Sequence, residues 1–138
     1  MHYASSVRVD APLELVWGVL TDAAGWSTWE SGVTGVDGRL AAGEKITIRG
    51  AAAPGRSFPV RVTAYEPEVL IELTGGMPLG LFKGVRRYTL SRDASQTSLA
   101  VREDYSGPLL PLFARSMPDL QPSFDQFTAG LKQRVEGR

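Results

Sequence analysis

The chain contains no cysteine and a single histidine, His2, next to the N-terminal methionine. Without thiols there is no disulfide framework, thiolate zinc site, iron–sulfur cluster or cysteine nucleophile to seek. One terminal histidine disfavours an interior metal cage and a Ser-His-Asp triad alike. Net charge is missing too, because fifteen Lys plus Arg balance fifteen Asp plus Glu. No field steers such a chain onto a polyanion, so nucleic acid is disfavoured as the main partner. Long uncharged runs are also absent. The two longest, Leu73–Phe82 and Tyr105–Ala114, have ten residues each, against the ~20 that a membrane-spanning helix requires. The N-terminus shows no apolar core of a secretory signal, and a cytoplasmic protein without an integral membrane segment is expected.

What remains is an ordinary globular composition: 138 residues, 43% apolar and 22% charged. A single domain over residues 1–138 fits the usual size of about 100–200 residues. Tyr3 to Val9 alternates as a strand. Asp10 and Pro12 mark a helix start, with Asp near the N-cap and Pro in the first turn. Leu13, Val16, Trp17 and Leu20 carry that helix over about Pro12–Leu20. Asp22 caps a second short helix across Ala23–Trp29, and Gly32, Gly35 and Gly38 punctuate a loop with a brief strand near Val33–Val36. Five strands follow: Lys45–Arg49, Phe58–Tyr65, Val69–Thr74, Phe82–Ser91 and Thr97–Tyr105, the last pair joined by a turn over Arg92–Gln96. In the second of these, Phe58, Val60, Val62 and Ala64 share one face and Arg61, Thr63 and Tyr65 the other.

The tail changes period. Leu110, Phe113, Met117, Leu120, Phe124, Phe127 and Leu131 form a helical stripe at 3- and 4-residue spacing. Pro118 and Pro122 lie within it, each costing roughly 3 kcal/mol inside an unkinked helix. The tail is therefore either one kinked helix or a short one to about Ser116 followed by a longer one to about Val135. Strand, two helices, a run of antiparallel strands and a C-terminal helix make an α+β pattern with helices on one face of the sheet.

Asp10-Ala11-Pro12, Val16 through Asp22, Trp29 with Gly32-Val33, Thr97-Ser98-Leu99, Glu103 with Gly107, and Leu131-Lys132 together resemble the polyketide cyclase/dehydrase branch of the START-like (SRPBCC) superfamily. Birch-pollen allergens share that fold. The resemblance covers essentially the whole chain. It implies a helix-grip fold, in which a curved antiparallel sheet wraps the long C-terminal helix around an apolar cavity. It also implies that Trp17 packs between helix and sheet and that Trp29 covers one cavity end. In such families the cavity takes lipids, polyketides or aromatic metabolites, with catalysis in some members only. No cofactor and no metal is implied.

Hairpin arithmetic supplies a candidate for chemistry. If Leu90 faces Leu99, then Tyr88 faces Val101, Arg86 faces Glu103, and all point inward with Tyr105. Arg86 would hold a ligand carboxylate, phenolate or enolate, Glu103 would move a proton, and Tyr88 would orient a carbonyl. The plainer alternatives are a salt bridge at the sheet's open end and core tyrosines bonded to backbone. Trp17, Trp29, Ile71, Met77, Phe82, Tyr88, Val101, Tyr105, Phe113, Met117, Leu120 and Phe124 form the expected ligand-binding set; the bland reading is that they simply fill the core. The Gly-hinged apolar loop Gly75–Phe82 either gates the cavity, touches a partner or membrane, or folds its side chains inward. The expected function is binding of a hydrophobic small molecule, non-catalytic or weakly catalytic. A polyketide cyclase/dehydrase and a protein-interaction module akin to chaperone-activating relatives are the alternatives. A monomer and a homodimer both remain open.

Overall fold

The computed structural model describes residues 1–137. Period-2 alternation gives seven strands: β1 (His2–Val9), β2 (Val33–Asp37), β3 (Lys45–Gly50), β4 (Phe58–Glu66), β5 (Leu70–Gly76), β6 (Lys83–Asp93) and β7 (Gln96–Ser106). They form one curled antiparallel sheet in the order β1-β7-β6-β5-β4-β3-β2. The two strands nearest the N-terminus thus occupy opposite edges. Between them the chain crosses the concave face as α1 (Leu13–Thr21) and a 3-10 helix (Ala23–Thr28). After β7 come a one-turn helix α2 (Leu110–Ala114) and the longer α3 (Gln121–Glu136). No helix among the described residues is long and apolar enough to cross a membrane.

Apolar positions close the interior. Val16 and Leu20 of α1, Ile46, Val62, Ile71 and Leu99 of the sheet, and Leu131 of α3 are almost entirely buried. Phe124 and Phe127 complete the face of α3 that meets the sheet. The tail takes the two-helix form. Pro111 and Pro122 fall in the first turns of α2 and α3, where a missing N–H removes no helical bond, and Pro118 stands in the connection. Side chains of α3 also cover the free edge of β1. Gln121 Nε2 donates to the Ala4 carbonyl at 2.7 Å and Lys132 Nζ to the Arg8 carbonyl at 2.8 Å, groups that would otherwise template another strand.

Three local expectations are corrected. Pro12, extended at φ −68° and ψ 154°, is itself the residue before α1, and no side chain caps that helix. Asp10 lies two residues too early, and its N–H donates to Glu136 Oε2 at 2.9 Å. The expected short helix after Asp22 is present over Ala23–Thr28, wound as a 3-10 helix, with Asp22 capping it by accepting from the Gly25 N–H. The turn between β6 and β7 is tighter than Arg92–Gln96, because Asp93 still pairs with Gln96. Finally, a register shift between Val62 and Ala64 inserts an extra residue, as β-bulges do, and turns Tyr65 inward onto Trp17 at 5.6 Å between ring centres.

The sheet's outer face carries a charge network with a testable pH signature. Glu72 accepts from Thr63 Oγ1 and from Arg87 Nε, each at 2.7 Å. The Thr63 hydrogen bond is the main reason its carboxyl lies below the ordinary 4.5; partial burial opposes this, and Arg87 adds to it. A depressed folded-state pKa contributes stability that is complete above the unfolded value and is lost as pH falls through the folded one. The urea midpoint should therefore drop on going from about pH 6 to about pH 3, and Glu72→Gln should make that drop smaller. An unchanged slope in the variant would remove Glu72 from the account.

Candidate functional site

The β6–β7 hairpin adopts the register read from its sequence: Leu90 pairs with Leu99, Tyr88 with Val101 and Arg86 with Glu103. Burial of Leu90, Tyr88, Leu99, Val101 and Tyr105 shows that this face points into the fold. Arg86 Nε donates to Glu103 Oε1 at 2.6 Å, and Arg86 Nη1 makes a long contact of 3.5 Å to the Tyr88 hydroxyl. The guanidinium carbon also lies 4.6 Å from the centre of the Phe124 ring of α3, within cation–π range. Gly84 makes room for the carboxylate: a Cβ there would stand 2.6 Å from Glu103 Oε2.

Tyr3 completes the cluster. It pairs with Glu103 across the β1–β7 seam, and its ring lies 6.1 Å from Tyr105 and 5.8 Å from Phe124. Sequence reasoning missed it. Its inward parity was legible in β1, but the strand beside it was not.

Electrostatics fixes the protonation states. Burial disfavours the Arg86 charge, yet Tyr88 and Glu103 outweigh that and raise its pKa, so the guanidinium stays a cation. Burial raises the Tyr88 pKa, with Arg86 partly opposing it. Burial, reinforced by Glu103, raises that of Tyr105. Both phenols are thus weaker acids than a free tyrosine, which suits hydrogen-bond donation better than proton supply. The cluster is not sealed. Although α3 lies over it, 31% of the Arg86 side chain and 14% of that of Glu103 remain accessible.

The other expected residues divide into three groups. Trp26, Phe127 and Tyr88 fill one part of the interior, with ring centres 5.1–5.9 Å apart. Trp29 closes onto Phe127 at 5.4 Å, and Ile71 and Val101 are buried in the sheet beneath them. Toward the other end Phe82 contacts Phe113 at 5.0 Å and Tyr105 at 6.0 Å, and Phe113, Met117 and Leu120 are only half-buried. Trp17 sits apart against Tyr65, and Met77 is exposed on the β5–β6 loop. Trp26 and Phe127 belong with the ring cluster although neither is in the expected ligand-binding set.

Two open grooves lie elsewhere. One of about 680 Å³ is bounded by β2, β3 and the loop before β4, and one of about 470 Å³ by β3 to β6. Neither includes the Arg86 cluster. Among the described residues no group of three or more His, Asp or Glu side chains is placed to hold a metal ion.

A curled antiparallel sheet closed by a C-terminal helix, with a polar cluster on its concave face, defines a helix-grip protein. The family model described as "Polyketide cyclase / dehydrase and lipid transport" matches residues 1–136, and the chain belongs to that family. Solved structures share the fold at low identity. Protein MLL2253 of Mesorhizobium loti aligns with a TM-score of 0.78 at 19% identity, over 99% of this chain and 98% of that one. The Zhui aromatase/cyclase of Streptomyces sp. R1128 gives 0.78 at 20%, over 100% and 94%. The di-domain aromatase/cyclase BexL of the BE-7585A pathway gives 0.72 at 18%, over 99% of this chain and 46% of that one. No curated protein matches the sequence significantly.

Proposed function

We propose that this chain, acting as one domain, holds a hydrophobic small molecule between α3 and the concave face of the sheet. Arg86 anchors an oxygen of that molecule. The observation that supports this is the accessible guanidinium inside the fold: a cation on the gripping face, with one edge on Glu103 and another part of its surface open. Cations in apolar surroundings are costly unless satisfied, and a ligand carboxylate, phenolate or enolate would complete the set. Half-buried Phe113, Met117 and Leu120 supply apolar contacts, a mixture typical of small-molecule sites.

Mass spectrometry of the purified native protein should reveal a co-purifying hydrophobic compound, and Arg86→Met should lower its occupancy by roughly tenfold, the loss of one charge-assisted hydrogen bond. Full occupancy in Arg86→Met would sink the assignment. A second reading, cyclisation of a polyketide-like chain, is favoured by the Glu103 carboxylate beside that cation: Glu103 would take an acidic proton and Arg86 would hold the enolate oxygen. Glu103→Gln separates the two. A carrier keeps its ligand affinity in that variant, whereas a cyclase keeps the ligand and loses turnover.

A further inference from the structure

The two longest uncharged stretches of the chain, Leu73–Phe82 and Tyr105–Ala114, are brought together at one end of the sheet. The Leu109 N–H donates to the Leu81 carbonyl at 2.9 Å. Gly107, at φ +110°, passes so close that a Cβ there would stand 2.6 Å from the same carbonyl oxygen and 2.7 Å from that of Gly80. Phe82 and Phe113 stitch the seam from inside. Beyond it the apolar side chains run out of partners: Leu79 is 96% exposed, Leu112 66% and Met77 40%. Leu79 is also held at φ 62°, a left-handed conformation that few non-glycine residues adopt.

Basic side chains flank this apex on one side. The groove of about 470 Å³ on its flank is lined by Lys45, Arg61 and Lys83 together with Met77 and Gly80. Arg61 donates to the Gly43 carbonyl at 2.9 Å, and Lys45 and Lys83 are in none of the close ion pairs among the described residues, Lys83 acting on Glu72 only at longer range. The nearby carboxylates are engaged elsewhere, Glu72 with Arg87 at 2.7 Å and Glu44 with Arg39 at 3.7 Å.

We propose that this apex docks the protein onto an anionic lipid surface. Leu79, Leu112 and Met77 enter the headgroup–acyl boundary, while Lys45, Arg61 and Lys83 meet lipid phosphates. An uncharged protruding tip with basic side chains along one flank is the pattern of interfacial binders. A stable protein partner would instead need a face of roughly 800 Å², and two loop tips do not present one. The docking goes beyond the ligand reading and stands whatever fills the interior. It also orients the Phe82–Phe113 end of the grip toward the bilayer.

Co-sedimentation with vesicles of phosphatidylcholine, alone or mixed with phosphatidylserine, tests it. The protein should pellet with the mixed vesicles and bind pure phosphatidylcholine at least about tenfold more weakly. Raising salt from about 0.1 M to about 0.5 M should release it. Leu79→Asp and Lys83→Glu, both exposed positions, should each weaken binding by roughly tenfold with unchanged circular dichroism. Arg86→Met should bind vesicles like the parent chain, so failure of the ligand reading leaves this result intact. Equal binding by Leu79→Asp overturns the proposal, as does a parent protein that stays in the supernatant. A concentration-dependent dimer abolished by Leu79→Asp would instead assign the apex to a second copy and overturn it as well.

Discussion

Replacing Glu103 with Leu should destabilise the fold by about 2 kcal/mol or more, while the double variant Arg86→Met/Glu103→Leu should recover most of that loss. Removing one partner of a fully buried ion pair costs roughly 3–5 kcal/mol, because the other charge is left uncompensated. The lower figure is expected here because Arg86 keeps 31% of its side-chain surface accessible. Exchanging both partners for apolar side chains of similar size removes two desolvation penalties along with one attraction, and is often neutral or stabilising. Chemical denaturation of the parent, both single variants and the double completes the cycle. A double variant as unstable as Glu103→Leu alone would mean that the pair is a structural necessity. A stable double variant that no longer retains ligand would mean that the charges persist for binding, at some expense of stability.

Gly130→Ala should be comparably damaging, although alanine is the better helix former by about 1 kcal/mol in an open helix. In α3 a Cβ at position 130 would stand 1.9 Å from the Glu30 carbonyl oxygen and 3.3 Å from the Trp29 ring. The first of these is backbone, so no rotamer relieves it. Either α3 moves outward or the Trp29–Glu30 segment does, and overpacking of this kind costs typically 1–3 kcal/mol. Thermal unfolding should fall by roughly 5–10 °C for a domain of this size. Gly18→Ala provides the internal control. It lies in α1, nothing stands within 4 Å of its Cβ direction, and a gain of about 0.5–1 kcal/mol is expected there. Equal behaviour of the two substitutions would rule out the close approach of α3 to Glu30.

These two sites mark what sequence patterning conveys. The Arg86–Glu103 pairing was legible because a short turn and strict alternation leave one sensible register, and pleating then assigns both side chains to one face. The division of the tail was legible as one of two forms, since Pro118 and Pro122 cannot both sit inside an unkinked helix. Gly84 and Gly130 were not legible as functional positions. The absence of a side chain acquires meaning only once the neighbour is known, here the Glu103 carboxylate in one case and the Glu30 carbonyl in the other. Tyr65 was assigned to the wrong face because a bulge is a one-residue insertion with no signature in the alternation of β4. Tyr3 entered the site through a strand distant in the chain. No local rule pairs His2 with Asp104 or Tyr3 with Glu103.

That last pairing also sets a timetable. Of the described strands β1 is made first, and its sheet neighbour β7 is made last, after the five others. At ~5–20 residues per second, β1 waits on the order of ten seconds for its partner. The Gln121 and Lys132 side chains that shield its far edge arrive later still. A strand left unpaired that long is an aggregation hazard unless it is polar enough to remain hydrated. β1 reads His-Tyr-Ala-Ser-Ser-Val-Arg-Val, with His2, Ser5, Ser6 and Arg8 interrupting its apolar residues. Those polar residues keep the strand hydrated during the wait, in a segment that finally closes one edge of the sheet and supplies Tyr3 to the site.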